Sequence, residues 1–345
     1  MICFLSFLFI FYSVILSKRI SKSCFCFIAF TTLVFVIAVR PFSWGADAET
    51  YIQIYDLVNS NVKVNQEITF VIACKLIYNL GLGVRMLFVL YGTITLYLKI
   101  KSITSNTIFP YLSFLLYFSC WFVLHDVYQI RVGVAIAFFY FSIPYLRDKR
   151  WKEYIIISFV ASLFHIQALL MFFLILIPKK KINLYTAIGA LAVVFFAYTF
   201  YFFQIDVLKI CISILSHTGI PRIEQLNYYY DVARSGILDL GKINAFSPIV
   251  LTRLFITLFL LFQYKKLNSV KNYPLLIRIL VFSFSIRMFA YPIPVLGMRV
   301  YEFFTSIDIF VFPLLLTIFK EKKVVMTLLL FYCLFMLFIV LRGSF

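Results

Sequence analysis

Long apolar runs separated by short lysine-rich turns fill this 345-residue sequence, and few folds accept that pattern. About ten runs are long enough to cross a bilayer, at roughly 1–17, 24–39, 84–98, 108–124, 130–146, 184–203, 248–264, 275–290, 300–319 and 324–341. Only 13% of the residues are charged, where a soluble domain carries about 25%. In hydrocarbon each backbone polar group needs a partner, and a helix supplies them all within one segment. The sequence therefore predicts an all-α, polytopic integral membrane protein with about 10–12 transmembrane helices. It reads as a single transmembrane domain over 1–345. The run at 1–17 has no basic n-region and no small-x-small cleavage site, so it reads as a first span and not as a removable signal.

The basic residues are sorted. Eighteen of the 32 fall in six short segments: Lys18/Arg19/Lys22, Lys99/Lys101, Arg147/Lys149/Arg150/Lys152, Lys179/Lys180/Lys181, Lys265/Lys266/Lys271 and Lys320/Lys322/Lys323. Fifteen of those are lysines, whereas ten of the other fourteen are arginines. Eleven of the fourteen acids accompany that second, arginine-rich group. Lysine-rich short loops mark the cytoplasmic side, so the net charge of +18 is a topology signal and no nucleic-acid footprint. Arginine on the other side suits a phosphate, which its planar fork binds through two nitrogens. The seven cysteines mostly lie inside apolar runs and read as small packing residues. Cys24 and Cys26 have no second pair to complete a zinc site.

Two stretches do not fit simple crossings. Residues 68–80 are short and contain Lys75, and the apolar run 155–177 is broken by His165 and Gln167. If both are hairpins or half-crossings, all six basic segments fall in the cytoplasm and both termini lie outside. If both cross once, Lys99/Lys101 and Arg147–Lys152 fall outside, against the charge rule. The first arrangement is preferred, with one or two broken or re-entrant helices. Such helices need a protein or water-filled cavity around them, here beneath the outer face. The external polar segments are then 40–67, 125–131, the largest one at 204–247, and 291–302.

No Walker A motif, G-x-G-x-x-G, H-E-x-x-H or G-x-S-x-G is present. Candidate chemistry lies elsewhere. His125, Asp126, Gln129 and Arg131 crowd one short segment, with Arg131 placed either to meet an anion or to snorkel. His165 interrupts an apolar run, as a core histidine or as a base for a sugar hydroxyl. Arg287, Arg299 and Glu302 surround Pro292 and Pro294, and Arg299 and Glu302 share a helical face. Arg222, Glu224, Tyr228–Tyr230, Asp231 and Arg234 suit carbohydrate or an interfacial aromatic belt. Arg40 opens the first external segment, and Asp47 and Glu49 follow it, as ligand contacts or as helix caps.

Several passages resemble one family. Tyr128-Gln-Ile-Arg131-Val-Gly-Val-Ala-Ile-Ala137, a span, a basic turn and then Ser162-Leu-Phe-His165-Ile-Gln-Ala168 resemble the EpsG family, with Gln167 where serine is usual. Trp44-Gly-Ala-Asp47-Ala-Glu-Thr-Tyr51 resembles its G-x-D-x-x-x-Y loop, and Gly297-Met-Arg299-Val-Tyr-Glu-Phe-Phe304 its last arginine helix. That family is similar to the Wzy class of polysaccharide polymerases, including O-antigen polymerases. The resemblance implies a glycosyltransferase of the bacterial inner membrane, active at the periplasmic face. It would join undecaprenyl-diphosphate-linked repeat units in O-antigen, capsule or exopolysaccharide synthesis. By analogy with O-antigen ligases it implies Arg131 and Arg299 as diphosphate ligands and His165 as base. Arg40, Asp47, Gln129, Arg222, Glu224, Arg234, Arg287 and Glu302 are then candidate substrate contacts. No cofactor and no metal is implied; the partners would be lipid-linked glycans, the bilayer, and a flippase and chain-length regulator.

Two other readings use a similar cationic cavity. A lipid-linked oligosaccharide flippase needs access from both faces, whereas here the arginines favour one. A membrane O-acyltransferase acting on the glycan needs a constellation reached by cytoplasmic acyl-CoA. Only three acids and no histidine fall on that side; His125, His165 and His217 are all intramembrane or external.

Overall fold

A computed structural model describes residues 21–206, 209–210, 228, 230–232 and 243–342, and every regular element among them is a helix. Six stretches among them are long and apolar enough to cross a membrane: Lys22–Val39, Arg85–Asn106, Ile130–Arg147, Leu184–Phe202, Pro294–Ile318 and Lys322–Arg342. The protein is an all-α, polytopic membrane protein. The expected first span at 1–17 lies outside the described residues, as do Arg222, Glu224, Arg234 and His217. The chain forms two compact units, 1–176 with 313–345, and 177–312.

The first unit contains α1 (Lys22–Val39), α2 (Ala46–Asn59), α3 (Ile68–Asn79), α4 (Arg85–Asn106), α5 (Pro110–Tyr117), α6 (Ile130–Arg147) and α7 (Trp151–Phe164). Helices α1 and α4 run antiparallel. Lys22 Nζ donates to the Thr104 carbonyl at 2.7 Å at one end, and Arg85 Nη1 to the Ala38 carbonyl at 2.7 Å at the other. Their close approach needs Gly92, because a Cβ there would meet Ile37 Cδ1 at 2.5 Å. At one end of this unit Lys101, Tyr145, Asp148 and Arg150 line a cleft of about 210 Å³. At the opposite end Arg85 Nη1 also donates to the Arg40 carbonyl at 2.9 Å, and the Arg40 guanidinium lies 4.1 Å from the centre of the Phe88 ring. Tyr51 packs between Phe88 and the Arg131 guanidinium. The basic cluster around Lys101 and Arg150 thus lies at one end of this unit and Arg40, Arg85 and Arg131 at the other. In the second unit Arg278, counted with the external arginines, instead donates to the Pro178 and Lys180 carbonyls at the lysine turn.

Both irregular stretches return to the end they leave. Helix α3 starts at Glu67, beside Arg131, and leads into Arg85 at the same arginine end. Its 12 residues would extend only about 18 Å. The stretch 155–177 is a hairpin. Helix α7 stops at Phe164, His165 is extended (φ −158°, ψ 128°), and Ile166–Leu176 continues as a 3-10 helix. The Tyr154 hydroxyl donates to the Met171 carbonyl at 2.6 Å, a pair that a continuous helix would hold about 25 Å apart. His165 is the tip, and the Thr69 hydroxyl on α3 binds the Leu163 carbonyl beside it at 2.6 Å. Single cysteines introduced at Lys149 and Lys180 are therefore expected to react with an impermeant maleimide from the same side of the membrane. Reaction from opposite sides would make 155–177 a simple crossing.

Two expectations are corrected. Lys99 is no turn residue: α4 runs on to Asn106 and Lys99 is fully buried, its Nζ 2.5 Å from Asp126 Oδ1. Nor are His125 and Asp126 in an external loop. Helix α5 continues unbroken as a π-helix, Phe118–Tyr128, which turns both side chains inward. The reason is mutual satisfaction inside the unit. Asp126 accepts from Lys99 and from the Tyr117 hydroxyl, while the His125 ring stacks on Trp121 at 5.3 Å. Gly133 on α6 lets the π-helix approach, since a Cβ there would lie 2.4 Å from the His125 carbonyl oxygen and 2.8 Å from Asp126 Oδ1.

In the second unit α8 (Leu184–Phe202), α9 (Pro248–Phe262) and α11 (Pro294–Thr305) pack on α10 (Tyr273–Phe289). Asn183 opens α8 with a capping box completed by Thr186. Asn268 holds the turn before α8 by exchanging hydrogen bonds with the Ile182 backbone at 2.8 and 3.0 Å. The Thr305 hydroxyl donates to Ser283 at 2.8 Å, tying α11 to α10. The last helix, α12 (Lys322–Arg342), belongs to the first unit.

Candidate functional site

The richest polar constellation in the first unit forms where three elements meet: the loop before α3, the start of α6 and the hairpin tip. Glu67 is the N-cap residue of α3, a position where the helix dipole favours an acid. Arg131 stands in the first turn of α6 and gives one nitrogen, Nη1, to both Glu67 Oε2 and Gln66 Oε1. His165 enters from the hairpin tip, and its Nδ1 lies 3.2 Å from the other carboxylate oxygen, Oε1. That contact falls outside hydrogen-bond geometry, and the nitrogen is buried with no hydrogen-bond partner among the described residues. One carboxylate thus lies between a guanidinium and an imidazole, each about one-sixth exposed.

The surroundings are aromatic. The Arg131 guanidinium lies 5.3 Å from the ring centres of both Tyr51 and Phe70, within cation–π range. Phe70 packs on Tyr91, and Tyr91 on Phe164 next to the histidine. Arg131 Nε and Gln167 Oε1 are buried without hydrogen-bond partners among the described residues. Burial by itself would raise the Glu67 carboxyl, but its contacts with the His165 imidazole and the Arg131 charge outweigh that and hold it down at about 2. Glu67 is consequently ionised throughout the physiological range.

The other candidates divide by environment. Arg40 is 1% exposed, with Nη1 shared by the Trp44 carbonyl at 3.1 Å and the Val127 carbonyl. Burial lowers its guanidinium to about 10, against the opposing influence of the Tyr51 and Tyr128 phenols. It fastens the loop after α1 to the end of the π-helix. Gly45 in that loop has φ +85°, and an added Cβ would strike the Tyr128 ring at 2.5 Å. Asp47 and Glu49 occupy the first turn of α2, where they complement the dipole. Gln129 is buried, with Oε1 3.3 Å from His125 Nδ1.

Arg287, Arg299 and Glu302 belong to the second unit. Arg287 is buried in the last turn of α10, donates to the Asn244 carbonyl at 3.2 Å, and lies 5.0 Å from the Tyr301 ring centre. Arg299 and Glu302 stand one turn apart on α11, both partly buried. The same unit contains the ion pair Arg253–Asp308, at 3.3 Å.

Sequence reasoning singled out Arg131 and His165, which the fold brings to one carboxylate. It missed that carboxylate, together with Gln66 and the Arg253–Asp308 pair. The available signal was positional: Gln66 and Glu67 directly precede an apolar run too short to cross. Among the described residues no group of three His, Cys, Asp or Glu side chains gathers to hold a metal.

No curated protein matches this sequence. No solved structure does. The sequence matches the EpsG family over residues 23–344, nearly its whole length, and the chain belongs to that family.

Proposed function

We propose that this protein is a polysaccharide polymerase. It would transfer a glycan from undecaprenyl diphosphate onto the terminal sugar of another lipid-linked repeat unit, at the periplasmic face of the bacterial inner membrane. Membership of the EpsG family supports the reaction class. The observation that carries the mechanism is the meeting of Arg131 and His165 at Glu67. An acceptor hydroxyl oxygen attacks the anomeric carbon, the bond from that carbon to the diphosphate oxygen breaks, and the hydroxyl proton passes to His165. A neutral imidazole suits that proton transfer. The leaving diphosphate gathers negative charge, which Arg131 is placed to meet. The buried Tyr51 and Phe70 rings beside the guanidinium hold it in place.

The lipid anchor explains why no nucleotide-binding motif is needed, since the activated sugar arrives in the membrane. In the cell the enzyme would work with a flippase that delivers repeat units and a regulator that sets chain length. Deletion of the gene is expected to leave surface glycan truncated to single repeat units on gel analysis. Loss of all surface glycan would instead favour transport across the membrane, and full-length chains with altered modification would favour acyl transfer.

A further inference from the structure

We infer that Glu67 is a positioning residue for His165, fixing the imidazole in its Nδ1–H form so that Nε2 is the nitrogen that takes the proton; this rests on the polymerase reading for its catalytic consequence. The geometry carries the assignment. Nδ1 faces Glu67 Oε1 at 3.2 Å, a contact outside hydrogen-bond geometry as it stands, and has no hydrogen-bond partner among the described residues. The Glu67 carboxyl is held low and as a carboxylate can only accept, so its charge favours the proton on the nitrogen that faces it. The second ring nitrogen then keeps its lone pair. In the neutral ring a proton held on one nitrogen leaves the other as the acceptor. A base oriented by a third group is the general arrangement for nucleophile activation. Arg131 completes the device, because its Nη1 occupies the opposite carboxylate oxygen and stops the carboxylate from turning away.

Replacing one atom of this arrangement reverses it. In Glu67→Gln, Arg131 is a donor only and claims the amide oxygen, as it does Oε2 in the native protein. The amide nitrogen is left facing His165, and it is a donor too. Nδ1 must then accept, the proton moves to Nε2, and the base is lost although volume and the arginine contact are kept. Glu67→Asp preserves the acceptor on a shorter arm and should retain part of the function.

The experiment uses the full-length protein in lipid nanodiscs with 15N-labelled histidine. Only three histidines are present, so the His165 signal is identified by its loss in His165→Gln. The expected wild-type spectrum has a protonated Nδ1 and an unprotonated Nε2 at His165. Glu67→Gln should exchange these assignments. With lipid-linked repeat units as substrate, the same variant should lose about 10²-fold or more in turnover, the scale of a positioned base. It should do so at wild-type protein level and melting temperature, with Glu67→Asp intermediate. A wild-type His165 protonated at Nε2 would overturn the inference. So would wild-type turnover by Glu67→Gln when His165→Gln is inactive. If the wild-type protein extends no chains, the polymerase reading fails while the tautomer assignment is still decided by the spectrum.

Discussion

Arg131→Lys is expected to reduce chain extension by on the order of 10²–10³ while leaving the protein inserted and abundant. The structure shows what lysine would lose. Arg131 spreads its fork between Tyr51, which it also hydrogen-bonds, and Phe70, and its Nη1 serves both Glu67 and Gln66. A lysine can keep the charge near Glu67, yet it has no second nitrogen held in a fixed plane to meet a phosphate oxygen. Losing one charge-assisted contact to a developing anion costs about 2–4 kcal/mol in the barrier at comparable sites. The measurement is polymer length and turnover at matched protein level. Full-length polymer from the lysine variant would mean that Arg131 serves only to hold Glu67 and the loop before α3. A loss matched by a fall in protein level would point the same way.

That Arg131 and His165 were legible in the sequence follows from what a membrane forbids. A histidine and a glutamine inside an otherwise apolar run are costly, so the break at His165 announces itself. The sorting of lysine from arginine is equally visible, since the bilayer reads it during insertion. Glu67 was not legible, because an acid before a short apolar helix is an ordinary cap. Its role depends on the return of the hairpin tip and on an arginine 64 residues further along the chain. Lys99 misled for the converse reason. With Lys101 two residues away it looks like part of a basic turn, and nothing local reveals the aspartate 27 residues later that draws it inside. His125 and Asp126 share that error, because density of polar groups reads as a loop until each group is seen to have its partner within the helix bundle.

The buried pair leads to the second large effect. Lys99→Met alone and Asp126→Asn alone are each expected to destabilise the protein by about 3–5 kcal/mol, the usual consequence of leaving one buried charge uncompensated. Typical total stabilities are only about 5–15 kcal/mol, so both single variants should show much less folded protein and an early melting transition in detergent. The double variant should recover most of that loss. Both charges are then gone, methionine fills much of the lysine volume, and the asparagine oxygen still accepts from the Tyr117 hydroxyl as Asp126 does. Neutral replacement of a buried ion pair is often tolerated, because the desolvation of two ions disappears along with their attraction. Gly133 constrains the choice of residue at 126, since α6 passes within 2.8 Å of Asp126 Oδ1 at the position of its missing Cβ. Asparagine keeps that outline, whereas leucine would press on α6. Fluorescence-detected size-exclusion chromatography after a temperature ramp separates the outcomes. Single variants as stable as the native protein would show that water reaches the pair. A double variant no better than the singles would show that the Lys99–Asp126 attraction, more than its satisfaction, holds α4 to the π-helix.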